Sequence, residues 1–316
     1  MIYSFSHRTD GPAFYWSWFL ERLRAGTVQV RNPYYPEKVS TYDLSPDVCD
    51  GFTFTSKDYS RVVGTRSALR ELGKILDRYP TLWSYTITPY VKSHVEPRVP
   101  DAISSVETMR KLSSFVGRER LTWLYSPLAM MDGYYDVEYH KQGFEWLCEQ
   151  LSQYASTVSV ATLKVYEKVA RNAPELRPPH HYELQELLPF MVEVAEKNGM
   201  RIHACPGEQV WGSYGFDMSP CLSLERFAEI NGREMRKVTF REGSGLYQTC
   251  PAGCMAVRDL APYNSCPHDC VYCYANSMPG VAEIRHKKCD VRSPMLLGNV
   301  RPIDVVSHAK QRKYLV

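Results

Sequence analysis

The sequence predicts an α/β protein, a (β/α) barrel of the TIM type, complete or partial, with a cysteine-rich loop after its last strand. Short apolar runs alternate with longer amphipathic ones about seven or eight times along 316 residues, which is the rhythm of βα units. Polar or turn residues close nearly every strand-like run, and the cysteines gather behind the last one. A doubly wound open sheet is the alternative arrangement of the same units.

The elements follow in order. Residues 2–6 form a first strand running into Arg8, Thr9 and Asp10, and after Pro12 a helix carries Phe14, Trp18, Phe19 and Leu23 at helical spacing. Residues 52–55 make a strand closed by Ser56, Lys57 and Asp58; 68–76 make a helix; 83–88 alternate as a strand up to Pro89. Asp101 caps a helix to about Val116, 121–125 make a strand ending at Ser126 and Pro127, 136–151 a helix and 158–163 a strand. Residues 182–197 form a helix stopped by Asn198 and Gly199, 200–204 a strand entering Cys205, and 255–260 the last strand. The weakly periodic stretch 218–248 reads as an excursion packing against the cysteine region. The whole, 1–316, is taken as one domain, with 250–289 as its metal-binding segment.

Bulk properties narrow the function classes. With 44% hydrophobic residues the chain can build a full core, and a net charge of +3 with mixed signs does not mark a nucleic-acid protein. The 22 Tyr and 6 Trp suit a lined cavity or plain core packing. The opening residues lack the pattern of a signal peptide, and no apolar run approaches the ~20 residues of a membrane span. A soluble, cytoplasmic protein with no membrane partner is the expectation. Neither a G-x-G-x-x-G after a strand nor a G-x-x-x-x-G-K-[ST] occurs.

Ten cysteines without a secretion signal point to metal or redox chemistry rather than disulfides. Five fall between Cys250 and Cys273. Cys266, Cys270 and Cys273 stand at C-x3-C-x2-C spacing, so three thiolates on one loop can hold three corners of an Fe4S4 cube and leave one iron open. Zinc knuckles favour C-x2-C pairs and four ligands, so zinc fits this spacing less well. Cys250, Cys254, Cys205 and Cys221 together would suffice for a second iron–sulfur cluster or a zinc site, with Cys289 as a spare ligand. Cys49 and Cys148 read as small apolar core residues.

The motif, with Tyr272 before its third cysteine, resembles the signature of the radical S-adenosylmethionine (radical SAM) superfamily. That resemblance implies a [4Fe–4S] cluster, S-adenosylmethionine bound at the open iron, and hydrogen abstraction from a substrate by a 5′-deoxyadenosyl radical. It also implies an electron donor such as flavodoxin or ferredoxin. Tyr272 and Asn276 are the nearest residues to touch the cofactor. In most of the superfamily the motif follows the first strand, whereas here it lies near the C-terminus. In a closed barrel the last strand neighbours the first, so the loop still reaches the same mouth. Arg8-Thr9-Asp10 with Pro12-Ala13-Phe14, then Val30-Arg31-Asn32-Pro33, Thr88-Pro89-Tyr90 and Tyr263 to Asn276 are similar to a bacterial family known as a domain of unknown function. That family carries W-T-K-N-P where this chain has Phe54-Thr55-Ser56-Lys57-Asp58, and W-R-Y-D-P where it has Trp123-Leu124-Tyr125-Ser126-Pro127. These departures remove an Arg and an Asp from a strand end and put the substrate in question. The C-Y-C-Y loop is also similar to the spore photoproduct lyases, in that loop alone.

The catalytic candidates are Arg8, Asp10, Lys57, Tyr90 and Tyr125, all at strand ends. Arg8 and Asp10 would bind a substrate anion and order a neighbour, or form a rim ion pair. Lys57 and Lys164 would meet an anionic group or stay at the surface; Tyr90 and Tyr125 would shuttle a hydrogen atom or line the cavity. His180 and His181 read as a solvated loop, and the basic runs 285–288 and 310–313 as a solvated surface or a phosphate contact. The expected function is thus a radical enzyme acting on a small molecule, peptide or nucleic acid. A non-enzymatic zinc or iron–sulfur module, structural or redox-sensing, is the first alternative. An electron-transfer protein with a fully ligated cluster is the second.

Overall fold

The computed structural model describes residues 1–90, 94–204, 209–220, 222–236 and 257–316. Its strands are β1 (Ile2–Ser4), β2 (Thr27–Arg31), β3 (Lys38–Asp43), β4 (Gly51–Ser56), β5 (Thr81–Thr86), β6 (Leu121–Leu128), β7 (Thr157–Thr162), β8 (Arg201–Ala204), β9 (Arg258–Asp259) and β10 (Val305–His308). Seven of them form one parallel sheet in the order β8-β7-β6-β5-β4-β1-β9, flanked by helices. From β1 to β8 the order follows the chain, and β9 returns to the other side of β1. Among the described residues no pairing joins β8 to β9.

The period of two explains which face is which. Phe52, Phe54, Trp83, Tyr85, Trp123 and Tyr125 share one face and are fully buried. Phe54 stacks on Trp83 at 4.3 Å and Trp123 on Phe144 of the helix Val137–Leu151 at 5.3 Å. Each such ring contributes roughly 1.5–3 kcal/mol by leaving water. The opposite face carries Thr53, Thr55, Ser84, Thr122 and Leu124, smaller and half-buried. High aromatic content therefore served the core under the helices more than a lined cavity.

The helices start where the caps predict. Asp101 accepts from the Ser104 N–H at 2.9 Å and Asp136 from the Tyr139 N–H at 2.9 Å, opening Ala102–Val116 and Val137–Leu151. The helix His181–Lys197 ends at Asn198, followed by Gly199 at φ 65°, and His180 is its cap rather than part of a loop. Cys49 and Cys148 are buried in the core, as their apolar surroundings suggested.

Three expectations needed correction. First, β2, β3 and β10 build a small separate sheet that the reading above omits, because its half-exposed strands sit among turn residues. Second, β6 runs past Ser126 and Pro127 to Leu128. Third, the described part of the excursion after Met218 turns away from the cysteine loop. Its helix Leu224–Ile230 packs Phe227 and Ala228 against Ile2, Leu82 and Leu315, at the starting ends of β1 and β5. No helix among the described residues is long and apolar enough to cross a membrane.

Gly51 opens β4 with φ 144°, and a Cβ there would stand 2.2 Å from the Pro80 carbonyl oxygen. Gly51→Ala should lower stability by about 2–3 kcal/mol, read as a fall in the urea midpoint at unchanged slope.

Candidate metal centre

The cysteine loop is built by local turns and then tied to four other parts of the chain. Asn264 and Asp269 take left-handed backbone conformations, φ 58° and 60°, which their short polar side chains favour. The Asn264 side chain accepts from the Ser277 N–H at 2.5 Å, and both Asp269 oxygens accept from the Gly280 N–H at 3.0 and 3.1 Å. From outside, Tyr15 donates to the Ser265 carbonyl at 2.6 Å and Lys168 to that of Tyr274. The Val271 N–H donates to the Val95 carbonyl at 3.1 Å, and Tyr274 donates to the His7 carbonyl.

Within this frame the three thiols lie near enough to act on one another's ionisation. Burial pushes Cys266 well above the ordinary thiol range, helped by Asp10, Cys273 and Cys270. Burial also raises Cys270, with Lys57 opposing. Hydrogen-bond donors face the sulfurs: the His268 N–H serves Cys266, and the Ala275 N–H reaches Cys273 Sγ at 3.3 Å. The Tyr272 hydroxyl lies between Cys270 and Glu96 and donates to Glu96. Among the described residues no three Cys, His, Asp or Glu side chains converge as ligands of a single metal ion.

Two buried carboxylates organise the surroundings. Asp10 Oδ1 accepts from the Ala13 N–H at 3.0 Å and from Ser56 Oγ at 2.6 Å. Its Oδ2 accepts from the Lys57 N–H at 2.8 Å and from His268 Nε2 at 2.9 Å. One side chain thus joins the ends of β1 and β4 to the cysteine loop. Glu96 Oε1 accepts from Lys57 Nζ at 2.9 Å, from Thr88 Oγ1 at 2.9 Å and from Tyr272. Burial acts against the Lys57 charge, but Glu96, Cys270 and Asp10 outweigh it and raise its pKa. Asn276 is buried; its Nδ2 donates to the Cys266 carbonyl at 2.7 Å, and among the described residues its Oδ1 has no partner.

Of the sequence-predicted residues, Asp10, Lys57, Cys266, Cys270, Cys273, Tyr272 and Asn276 come together. Arg8 stands beside them rather than pairing with Asp10: it donates to the Ala261 carbonyl at 3.4 Å and lies 5.1 Å over the Tyr263 ring. Tyr90 is one layer deeper, its hydroxyl donating to the Pro127 carbonyl at 2.7 Å and accepting from the Ala129 N–H at 2.8 Å. Tyr125 points under the helices with Trp123, because β6 alternation puts both on that face. Cys289 is half-buried, its thiol raised to about 11 by burial and then Asp290. Lys164 is exposed. Cys205, Cys221, Cys250 and Cys254 lie outside the described residues. Sequence reasoning missed Glu96, which follows no periodic run, and gave His268 no role although it sits inside the motif.

Tyr125 donates to His140 Nδ1 at 2.7 Å, while His140 Nε2 donates to the Ala129 carbonyl at 2.9 Å, which assigns a neutral ring. Burial lowers the His140 pKa from 6.5 to about 4. The unfolded chain therefore binds the proton first as pH falls, and stability is lost between pH 6.5 and about 4. The loss should reach about 3 kcal/mol below that window. Urea titrations from pH 7 to 4 test this, and His140→Gln should flatten the slope relative to its own value at pH 7.

The family model described as "Domain of unknown function (DUF1848)" matches residues 2–275. None of the curated proteins matches the chain. Among solved structures, a candidate alpha-L-fucosidase from Bacteroides thetaiotaomicron is similar at 11% identity and a TM-score of 0.29, over 58% of this chain and 70% of that one. So loose a likeness bears on neither architecture nor activity.

Proposed function

We propose that this chain, which belongs to the family described as Domain of unknown function (DUF1848), is a radical enzyme with a [4Fe–4S] cluster on Cys266, Cys270 and Cys273. S-adenosylmethionine would bind at the iron those three thiols leave free. One observation carries the reading: three thiols within electrostatic reach of one another share a pinned loop beside the ends of β1 and β4, with donors at the sulfurs. When both groups are bound, they supply reductive cleavage of a sulfonium and a radical able to take hydrogen from substrate.

The residues present fit that pair of groups. Thiolates are the ligands such a cube requires, and N–H donors stabilise charge on sulfur. The unpartnered Oδ1 of Asn276 is an acceptor waiting for a donor such as an amine or a ribose hydroxyl. Lys57, held by Glu96 beside Cys270, offsets negative charge at the loop. Arg8, with no carboxylate ion-paired to it among the described residues, is suited to an anionic substrate group. Unreversed strand order from β1 to β8, with β9 beyond β1, supports a barrel whose mouth holds these residues. We place the protein in the cytoplasm, reduced by a flavodoxin or ferredoxin.

The test is anaerobic reconstitution followed by iron and sulfide analysis, then dithionite and S-adenosylmethionine. About four irons or more per chain and release of 5′-deoxyadenosine are expected. Stoichiometric zinc with no nucleoside product would end the proposal.

A further inference from the structure

Beside the base of the cysteine loop, a pocket of about 540 Å³ opens between β2, the residues just after β9, and the chain following the helix Val281–His286. Its floor is apolar: Val30, Leu260, Met295, Leu296 and Leu297 line it and are themselves buried. Its polar lining is one-sided. Arg31, Arg285, Lys288 and Arg301 contribute to the wall, and among the described residues no acidic one does.

One carboxylate stands behind these four cations. Asp304 accepts from Arg31 at 2.7 and 2.8 Å and from Arg301 at 2.8 and 3.0 Å, so those two guanidiniums are answered. Arg285 spends one N–H on the Tyr263 carbonyl at 2.8 Å, and among the described residues neither it nor Lys288 has an ion-pair partner. Glu283, the acid nearest Arg285 in sequence, is taken by Arg98 and Lys287, while Asp290, the nearest to Lys288, accepts from the Arg292 N–H and forms no ion pair among the described residues. The result is an apolar cavity of ligand size whose unanswered charges, among the described residues, are positive and at one wall.

We propose that this pocket binds a small organic anion with an apolar body, its head held by Arg285 and Lys288 and its body on Leu296 and Leu297. A neutral molecule of the same shape gains the floor but not the charge-assisted bonds. An inorganic anion gains the charge but leaves the floor wet. Its lining includes none of Cys266, Cys270 and Cys273, and the proposal stands without the radical reading.

Isothermal titration of the full chain with octanoate, and with 1-octanol as its neutral counterpart, tests the proposal. Expected are one saturable site per chain and at least tenfold weaker binding of octanol. Lys288→Glu, an exposed change that leaves the fold alone, should weaken octanoate at least fivefold, and Arg285→Gln should weaken it further. Lys310→Glu, equally exposed but not in the lining, should leave it unchanged. No saturable site, equal affinity for octanol, or an equal effect of Lys310→Glu would each overturn the assignment.

Discussion

Cys270→Ala is expected to abolish 5′-deoxyadenosine release while leaving the metal-free fold nearly as stable as wild type. Losing a second-layer partner of a metal ligand costs roughly 10- to 100-fold in affinity or activity, so losing a ligand should cost at least a hundredfold. Iron retained after anaerobic desalting should fall in parallel. The thiol is half-buried and makes no core contact of note, so the urea midpoint of the metal-free variant should move by about 1 kcal/mol or less. That pairing of a large chemical effect with a small structural one is the signature sought. If the variant still released nucleoside at a tenth of the wild-type rate, Cys270 would not be a ligand.

Asp10→Ala should be the most destabilising single change near the loop. It strands the Ala13 N–H, the Lys57 N–H and His268 Nε2, three donors in a buried place, and leaves the Ser56 hydroxyl only the Asp58 carbonyl. Breaking such a charged hub costs about 3–5 kcal/mol. Asp10→Asn should not rescue it fully. Its amide keeps one oxygen for Ala13 and Ser56, yet turns an NH2 towards the Lys57 N–H and His268, which are both donors. A loss of about 1–3 kcal/mol is expected, with iron held roughly 10- to 100-fold less tightly against a chelator. An Asn variant that matched wild type in both urea midpoint and iron retention would show that the Asp10–His268 bond does not position the loop.

How much of this was legible beforehand can be followed residue by residue. The parallel strands of the main sheet announced themselves through runs such as Phe52-Thr53-Phe54, and the helix starts through Asp101 and Asp136, because period and caps are local. Cys266, Cys270 and Cys273 were legible for the same reason. The small sheet was not, since Val305 and Val306 of β10 are exposed and meet β3 across most of the chain's length. Nor was the direction of Tyr125, which a shift of one residue in register would have turned to the other face.

By itself the sequence determined that a parallel α/β sheet would form and that three thiols would share one short loop, because spacing along the chain sets both. Only the tertiary structure decided which distant groups those thiols meet. Asp10, Lys57 and Glu96 reach Cys266 and Cys270 because β1, β4 and the chain after β5 end together. No local pattern encodes that meeting, since it follows from strand order and burial, which exist only after the sheet has assembled.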